Sequence, residues 1–471
     1  MSRAGSDRRA LYLIPLLMGP VIYTFTQAIV IPTIVPVAQS MHISRLDGTW
    51  VLTSFLLSGA VVTPLAGRLG DLLGNRRVLL WILWLTAAGG VLSGVSTSFV
   101  PVVLGRVLAG TCTATMALGY GIMRENLAND RLAPVVAFVS VSIAVGTALG
   151  NLLAGVIESD LGTRWLFLIP LLMTLPACLM AQLWVPESPV RTRTPVHWLG
   201  AVTMSVALLS VLVAISESTT WGWGSARTLG LLAFGAIALV TWVLVELRAA
   251  HPLIDMRVMA LPGVWRTNAV SFLFGFGLFG TFVALPQFVE TPHAAGYGFG
   301  ASVTAAAIIL LPANLVTALG GPLAGRLERR FSPKLPLFGG GAIGIVGYLM
   351  ISLLSAHRPA LYPAMFLLGI GMGVGYAVLP HVIVRSVPRE HTGGASGINV
   401  IARNIGGATG IQVGATVLAA HTAAGRLFPT HSGFTLVFWL LAGAAICATA
   451  GTLAIPTHRR SPAAQPQARL A

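Results

Sequence analysis

Charge is what this 471-residue chain most lacks. Asp, Glu, Lys and Arg together make up 9% of it, where soluble domains carry about 25%. So few charges cannot cover the surface of a soluble globular protein of this length, and that class is excluded. Disorder is excluded as well, because 55% of the residues are hydrophobic and disordered chains are poor in them. Lysine is almost missing: of 29 basic residues, 28 are Arg and one is Lys334. A G-x-x-x-x-G-K-[ST] loop needs its Lys to reach the β- and γ-phosphates of a nucleotide. Lys334 stands in Ser332-Pro333-Lys334-Leu335, so no ATP-driven motor is expected. Cysteine is scarce. Cys112, Cys178 and Cys447 lie in apolar runs without C-x-x-C spacing or a neighbouring His cluster, which supports neither zinc nor a redox pair, and no cofactor is expected.

Long apolar runs are what the chain does have, with a mean hydropathy of +0.83. After Arg3, Arg8 and Arg9 the sequence turns apolar at Leu11 and stays so to about Val37. That is too long for the core of a signal peptide, and no small-residue cleavage site follows. A membrane helix needs about 20 mostly apolar residues. Runs of that kind fall near 11–37, 50–66, 78–98, 100–123, 133–157, 165–185, 197–216 and 228–247, then 267–289, 300–324, 335–355, 361–384, 396–420 and 433–455. The sequence therefore predicts an all-α polytopic membrane protein with fourteen transmembrane helices.

An even count leaves both termini on one side, and the distribution of bases says which. With the termini in the cytoplasm, inner segments hold 22 of the bases, outer loops hold five (Arg45, Arg164, Arg227, Arg358 and Arg426), and Arg106 and Arg403 lie within spans. A net charge of +15 scattered in this way points to the lipid bilayer of the plasma membrane as partner, not to nucleic acid. Trp221-Gly222-Trp223 sits in an outer loop, where an interfacial aromatic belt is expected.

The chain also repeats itself. Gly67-Arg68-Leu69-Gly70-Asp71 leaves the second span and runs through Gly74 to Arg76-Arg77; Gly325-Arg326-Leu327 leaves the tenth and runs to Lys334. Two six-helix halves would carry these segments at matching positions if spans seven and eight were inserted between them. The resulting 6+2+6 layout has boundaries at 1–186, 187–260 and 261–471.

On these residues the chain resembles the major facilitator superfamily, and within it the fourteen-helix drug:proton antiporter branch. The loop from Gly67 to Arg77 matches the superfamily's G-x-L-x-D-x-x-G-x-[RK]-[RK] motif at each defined position. Gly105-Arg106-Val107-Leu108-Ala109-Gly110 is similar to its intramembrane Arg motif, and His251-Pro252-Leu253-Ile254-Asp255 and the stretch from Gly393 to Gly407 are typical of the branch. Two departures stand out. Thr26 occupies the place of the branch's usual first-span Asp. The fifth-span G-x-x-x-G-P motif reads Gly146-Thr147-Ala148-Leu149-Gly150-Asn151, with Asn151 for Pro.

The resemblance implies alternating access: a secondary transporter exporting a small organic molecule, drug- or antibiotic-like, in exchange for protons. It makes Asp71 a latch on the cytoplasmic side, within the loop of Gly67, Gly74, Arg76 and Arg77, although Asp71 also reads as an ordinary loop ion pair. Gly146, Gly150 and Asn151 would let helices approach closely and rock past one another. Arg106 and Arg403 are costly inside a membrane and mark a pathway, unless backbone carbonyls satisfy them. Together with Thr26, Gln27, Phe276 and Asn399 they describe a polar, neutral-to-positive interior, so neutral or anionic cargo is expected in preference to dications. No acid sits at the centre of a span, which leaves Glu290 and His381 as candidate proton carriers; an interfacial acid and a structural His are the plainer readings of both. Uptake by symport or uniport is the rival within the class, and a non-transporting receptor or assembly factor the rival outside it. No enzyme is expected.

Overall fold

A computed structural model describes residues 11–43, 45–48, 50–127, 129–187, 197–250, 252–330, 332–387, 392–422 and 428–456. Its long helices are α1 (Leu13–Ala28), α2 (Trp50–Leu73), α3 (Asn75–Val95), α4 (Phe99–Asn126), α5 (Asn129–Leu161), α6 (Trp165–Trp184) and α7 (Trp198–Trp221). They continue with α8 (Ala226–Arg248), α9 (Pro262–Glu290), α10 (Val303–Arg330), α11 (Lys334–Leu354), α12 (Arg358–Ser386), α13 (Thr392–Ala420) and α14 (His431–Ala454). Twelve of these are long and apolar enough to cross a membrane. The other two are α1, apolar but 16 residues long, and α13, 29 residues long but interrupted by Asn399, Arg403, Asn404 and Gln412. Large apolar side chains such as Trp81, Leu104, Leu183, Ile237, Leu319 and Leu353 point outward, as a lipid-facing surface requires.

Local chemistry sets the ends and bends. The run expected over 11–37 divides in two: α1 stops at Ala28, and a 3-10 turn (Ile31–Thr33) and a short helix (Ile34–Ser40) follow. Pro32 has no N–H to continue the helical ladder. In α4 the turn Thr111–Thr113 tightens to 3-10, where Thr111 and Thr113 hydroxyls donate back to the carbonyls of Leu108 and Gly110 at 2.7 and 2.9 Å, a pattern that bends helices. One residue, Gly74, separates α2 from α3, with φ 97°. Side chains avoid that region, which explains the glycine of the loop motif.

The first six helices share apolar cores around Leu16, Leu83, Leu118 and Cys178 and around Phe25, Val51 and Phe167. Helices α9 to α14 share another around Phe288, Ile351, Met365 and Phe438. Across the seam α5 packs along α10 and α2 along α13. Helix α8 packs on α7 and leaves most of its surface exposed, whereas α7 reaches both α2 and α13. At the end of the bundle nearest Leu11 the seam is closed: Val61 and Leu65 of α2 share an apolar cluster with Ile398 and Ile401 of α13, and a Cβ added to Gly397 would lie 3.7 Å from the Pro64 Cα.

Candidate functional site

At the opposite end, the seam opens into a chamber of about 170 Å³. Its walls come from Ile31, Ile34 and the α2 face Leu52, Thr53, Leu56 and Leu57, from α7 with Leu212, Ser216, Thr219 and Thr220, from α9 between Phe282 and Glu290, and from α13 between Asn404 and Ala415. The first six helices, the last six and α7 therefore enclose one space. The walls are mostly aliphatic, with hydroxyls and the amides of Gln287, Asn404 and Gln412 spaced among them. Glu290 is the only titratable side chain among the described residues lining it. Such a surface holds an apolar molecule by burial and orients it through a few polar contacts.

Helix α7 is tied to both halves beside this chamber. On the α2 side, Trp50 Nε1 donates to Glu217 Oε1 at 2.6 Å and Ser216 Oγ to Thr53 Oγ1 at 3.3 Å. On the α13 side, Gln412 Nε2 donates to the Ser216 carbonyl and, at 2.8 Å, to Thr219 Oγ1. Trp223 Nε1, expected in an interfacial belt, instead donates to Thr416 Oγ1 at 2.7 Å. At the other end of the pair, Glu246 is fully buried: it accepts from the Ile254 N–H at 3.2 Å and lies 3.5 Å from His197 Nδ1. It thereby pins the Pro252–Asp255 turn against the bundle.

The six residues expected to line a pore are not brought together here, and none borders the chamber. Thr26 and Arg106 face a pocket of about 10 Å³ within the first half. Arg106 is 1% exposed; its Nε donates to the Val51 carbonyl at 2.8 Å, its Nη2 to the Thr26 carbonyl at 3.2 Å, and its guanidinium lies 4.4 Å from the Phe55 ring centroid. Gln27 is buried in the same half. Phe276 packs against the core of the second half. Asn399 joins α13 to α9 through Asn268 Oδ1 and Ser271 Oγ at 3.0 and 2.7 Å. Arg403 is 4% exposed and lies 4.9 Å from the Tyr376 ring centroid. The positive interior expected from the two arginines thus stops short of the chamber. Helical phase is the reason: the chamber takes the α13 face of Asn404, Ala408, Gln412 and Ala415, and Arg403 lies about 100° round from Asn404.

Of the proton candidates, Glu290 lines the chamber and His381 does not; His381 is half-buried in the Leu11-end part of α12. Gly146 and Gly150 pack α5 on α1, where an added Cβ would come within 2.5 Å of the Val21 carbonyl and 2.9 Å of the Phe25 carbonyl. Asn151 is buried beside them. In the loop motif, Gly67 borders open space and Arg77 is exposed. Arg76 ties α3 to the end of α6, with Nη1 to Glu187 Oε1 and Nη2 to the Gln182 carbonyl, both at 2.6 Å. The backbone of Asp71 lies in α2, and its side chain falls outside the described residues.

Sequence reading missed Trp50, Glu217, Gln412 and Thr416. A signal was present: Asn404, Gln412 and Thr416 recur at multiples of four along α13, and Ser216, Thr219 and Thr220 cluster on α7, each set forming one helical stripe.

Comparison with known proteins follows this geometry. The Major Facilitator Superfamily model matches residues 16–411. An uncharacterized MFS-type transporter of Mycobacterium tuberculosis is 30% identical over 383 residues, or 80% of this chain; the chain spans about half, 54%, of that relative's length. The cephamycin export protein CmcT of Amycolatopsis lactamdurans is 30% identical over 383 residues, covering 79% of this chain and 78% of that protein. Further relatives are named for multidrug resistance or antibiotic export. Among solved structures, the human organic anion transporter MFSD10 superposes over 95% of this chain and 99% of its own with a TM-score of 0.68, at 17% identity, a likeness of fold alone. The helices, the chamber between two halves and these matches agree that this multi-pass membrane protein belongs to the Major Facilitator Superfamily, a family of transporters and not of enzymes.

Proposed function

We propose that the protein exports a small organic molecule across the plasma membrane by alternating access, in exchange for protons. The observation that carries this reading is the chamber itself, which lies between the halves, opens at one end and is sealed at the other by α2 against α13. Similarity to a cephamycin export protein over most of both chains supports export of an antibiotic-like cargo. The full layout in this reading is fourteen helices arranged 6+2+6, with residues 1–186 and 261–471 as rocking halves and 187–260 as the inserted pair. The 16 residues of α1 cross by continuing into the short helix at Ile34–Ser40, and α13 crosses despite its polar side chains because protein covers them.

Both termini face the cytoplasm in this scheme, so the chamber opens outward. The loop Gly67, Asp71, Gly74, Arg76, Arg77 governs closure at the inner end, and Gly146, Gly150 and Asn151 form a smooth contact on which α1 and α5 move. Thr26, Gln27, Phe276 and Asn399 belong to the interior that the cargo passes on its way to the chamber. Glu290 is the preferred proton carrier because it alone joins a titratable group to the chamber wall; His381 is the second choice. Neutral or anionic cargo is favoured over dications.

The test uses purified protein in liposomes containing a pH-sensitive dye, under an imposed pH gradient, with neutral, anionic and cationic organic compounds added in turn. Proton flux triggered by a neutral or anionic compound is the expected result. Movement of a compound without proton flux refutes antiport and leaves uniport. Movement of no compound across a broad panel refutes transport.

A further inference from the structure

Two arginines are buried in this bundle, and the fold treats them differently. Arg106 has two carbonyl acceptors and an aromatic face. Arg403 is equally enclosed, yet its Nε has no hydrogen-bond partner among the described residues, and no carboxylate among them forms an ion pair with it. Among the described residues its guanidinium meets the face of Tyr376. Tyr376 in turn stands edge-on to Phe274, with centroids 5.6 Å apart at 88°. Tyr376 also packs against the apolar cores of both the last six and the first six helices. Arg403 therefore sits on the seam between the halves.

A cation–π contact compensates only part of the hydration a guanidinium gives up, and a buried charge without an acceptor is unstable. Its backbone leaves little room to move, since an added Cβ on Gly275 of α9 would lie 2.0 Å from the Arg403 carbonyl. The neighbouring residue, Asn404, is the innermost α13 residue of the chamber wall. It is 4% exposed, and its Oδ1 is also without a partner. The chamber wall thus ends inward on Asn404, with Arg403 directly behind it, and among the described residues neither Asn404 Oδ1 nor Arg403 Nε finds a partner.

We infer that Arg403, walled by Tyr376, is the recognition site for an anionic group on the cargo, a carboxylate borne by an aromatic or otherwise apolar body. A carboxylate accepts two parallel N–H bonds from a guanidinium, and Arg offers the matching fork. The apolar body then lies along the aliphatic chamber wall above Asn404. Movement of the halves opens and closes the seam around Arg403, so the group that satisfies it arrives and leaves with the cargo. This inference rests on the export reading for its cargo but not for its binding event.

The test compares 1-naphthylacetate with its uncharged amide. Binding to the detergent-purified full chain is measured by tryptophan fluorescence, and uptake of each compound is measured in liposomes. In the wild type the carboxylate binds at least about tenfold more tightly than the amide, as expected for charge-assisted, bidentate bonds. In Arg403→Gln that ratio collapses towards one, and Arg403→Lys, which keeps the charge but loses the fork, falls between them. If Arg403→Gln does not fold, Arg403→Lys and Tyr376→Leu carry the comparison. Equal affinity for both compounds in the wild type, or a ratio that every variant preserves, overturns the inference. Selective binding without uptake of either compound refutes the export reading while leaving this site standing.

Discussion

Widening the chamber mouth beyond what is seen here requires α2 and α13 to part further, and α7 is bonded to both. Its two sides are unequal: Trp50–Glu217 is the strong link to α2, backed by the long Ser216–Thr53 contact, whereas Gln412 and Trp223 provide three bonds to α13. The weaker side should yield, so α7 travels with α13. Replacing Trp50 by Phe removes the indole N–H and keeps most of the apolar bulk. A hydrogen bond to a charged acceptor contributes about 1.5–3 kcal/mol. Both partners here are half-buried, so solvent reduces this to about 1–2 kcal/mol. If the bond exists only in the narrower arrangement seen here, its loss shifts the equilibrium toward the wider one by roughly 5- to 30-fold. Hydrogen–deuterium exchange over residues 50–57 should accelerate by that factor, while residues 404–416 and 212–220 change little. A cycle with Glu217→Gln gives a second check, because two changes to one bond do not add. Unchanged exchange over 50–57, or full additivity in the cycle, would refute the reasoning.

Glu290→Gln is expected to reduce cargo-driven proton flux to the level of protein-free liposomes, read with the same internal dye. Gly406→Ala would place its Cβ 1.9 Å from the Phe272 carbonyl; overpacking against helix backbone costs about 1–3 kcal/mol or more, so the detergent Tm should drop. Gly443→Ala, with nothing within 4 Å, should leave the Tm unchanged or slightly raised through helix propensity. Gly74→Ala should destabilise by about 1–3 kcal/mol because φ is 97° there, measured by the same melt and unaccompanied by loss of a contact.

Helices long and apolar enough to cross a bilayer could be read directly from the sequence, because in lipid every backbone group must be satisfied within the helix and the apolar run has to match the membrane. What could not be read was which face of each helix meets which neighbour. Asn404 and Arg403 are adjacent in sequence and chemically alike in polarity, yet one borders the chamber and the other lies behind it. Glu217 and Glu246 both appear as acids at span ends. One becomes the anchor of Trp50 and the other a buried acceptor for the Ile254 N–H, because each depends on a segment distant in the chain.

Thr26 shows the same dependence on neighbours. Insertion cost treats Arg106 and Arg403 alike, but α1 ends at Ala28, so the Thr26 carbonyl is among the last four of that helix and has no i+4 partner within it. Arg106 occupies this helix end, where a cation is favoured by the backbone dipole, and donates to the Thr26 carbonyl. Arg403 has no helix end beside it: α13, α9 and α12 all continue past its level, and although Pro380 frees the Tyr376 carbonyl of its i+4 donor, Arg403 Nε has no partner among the described residues. The short first helix thus makes one buried arginine structural. The second half places no helix end beside the other and leaves it in need of a ligand, so the two halves differ in chemistry even where their loop sequences repeat.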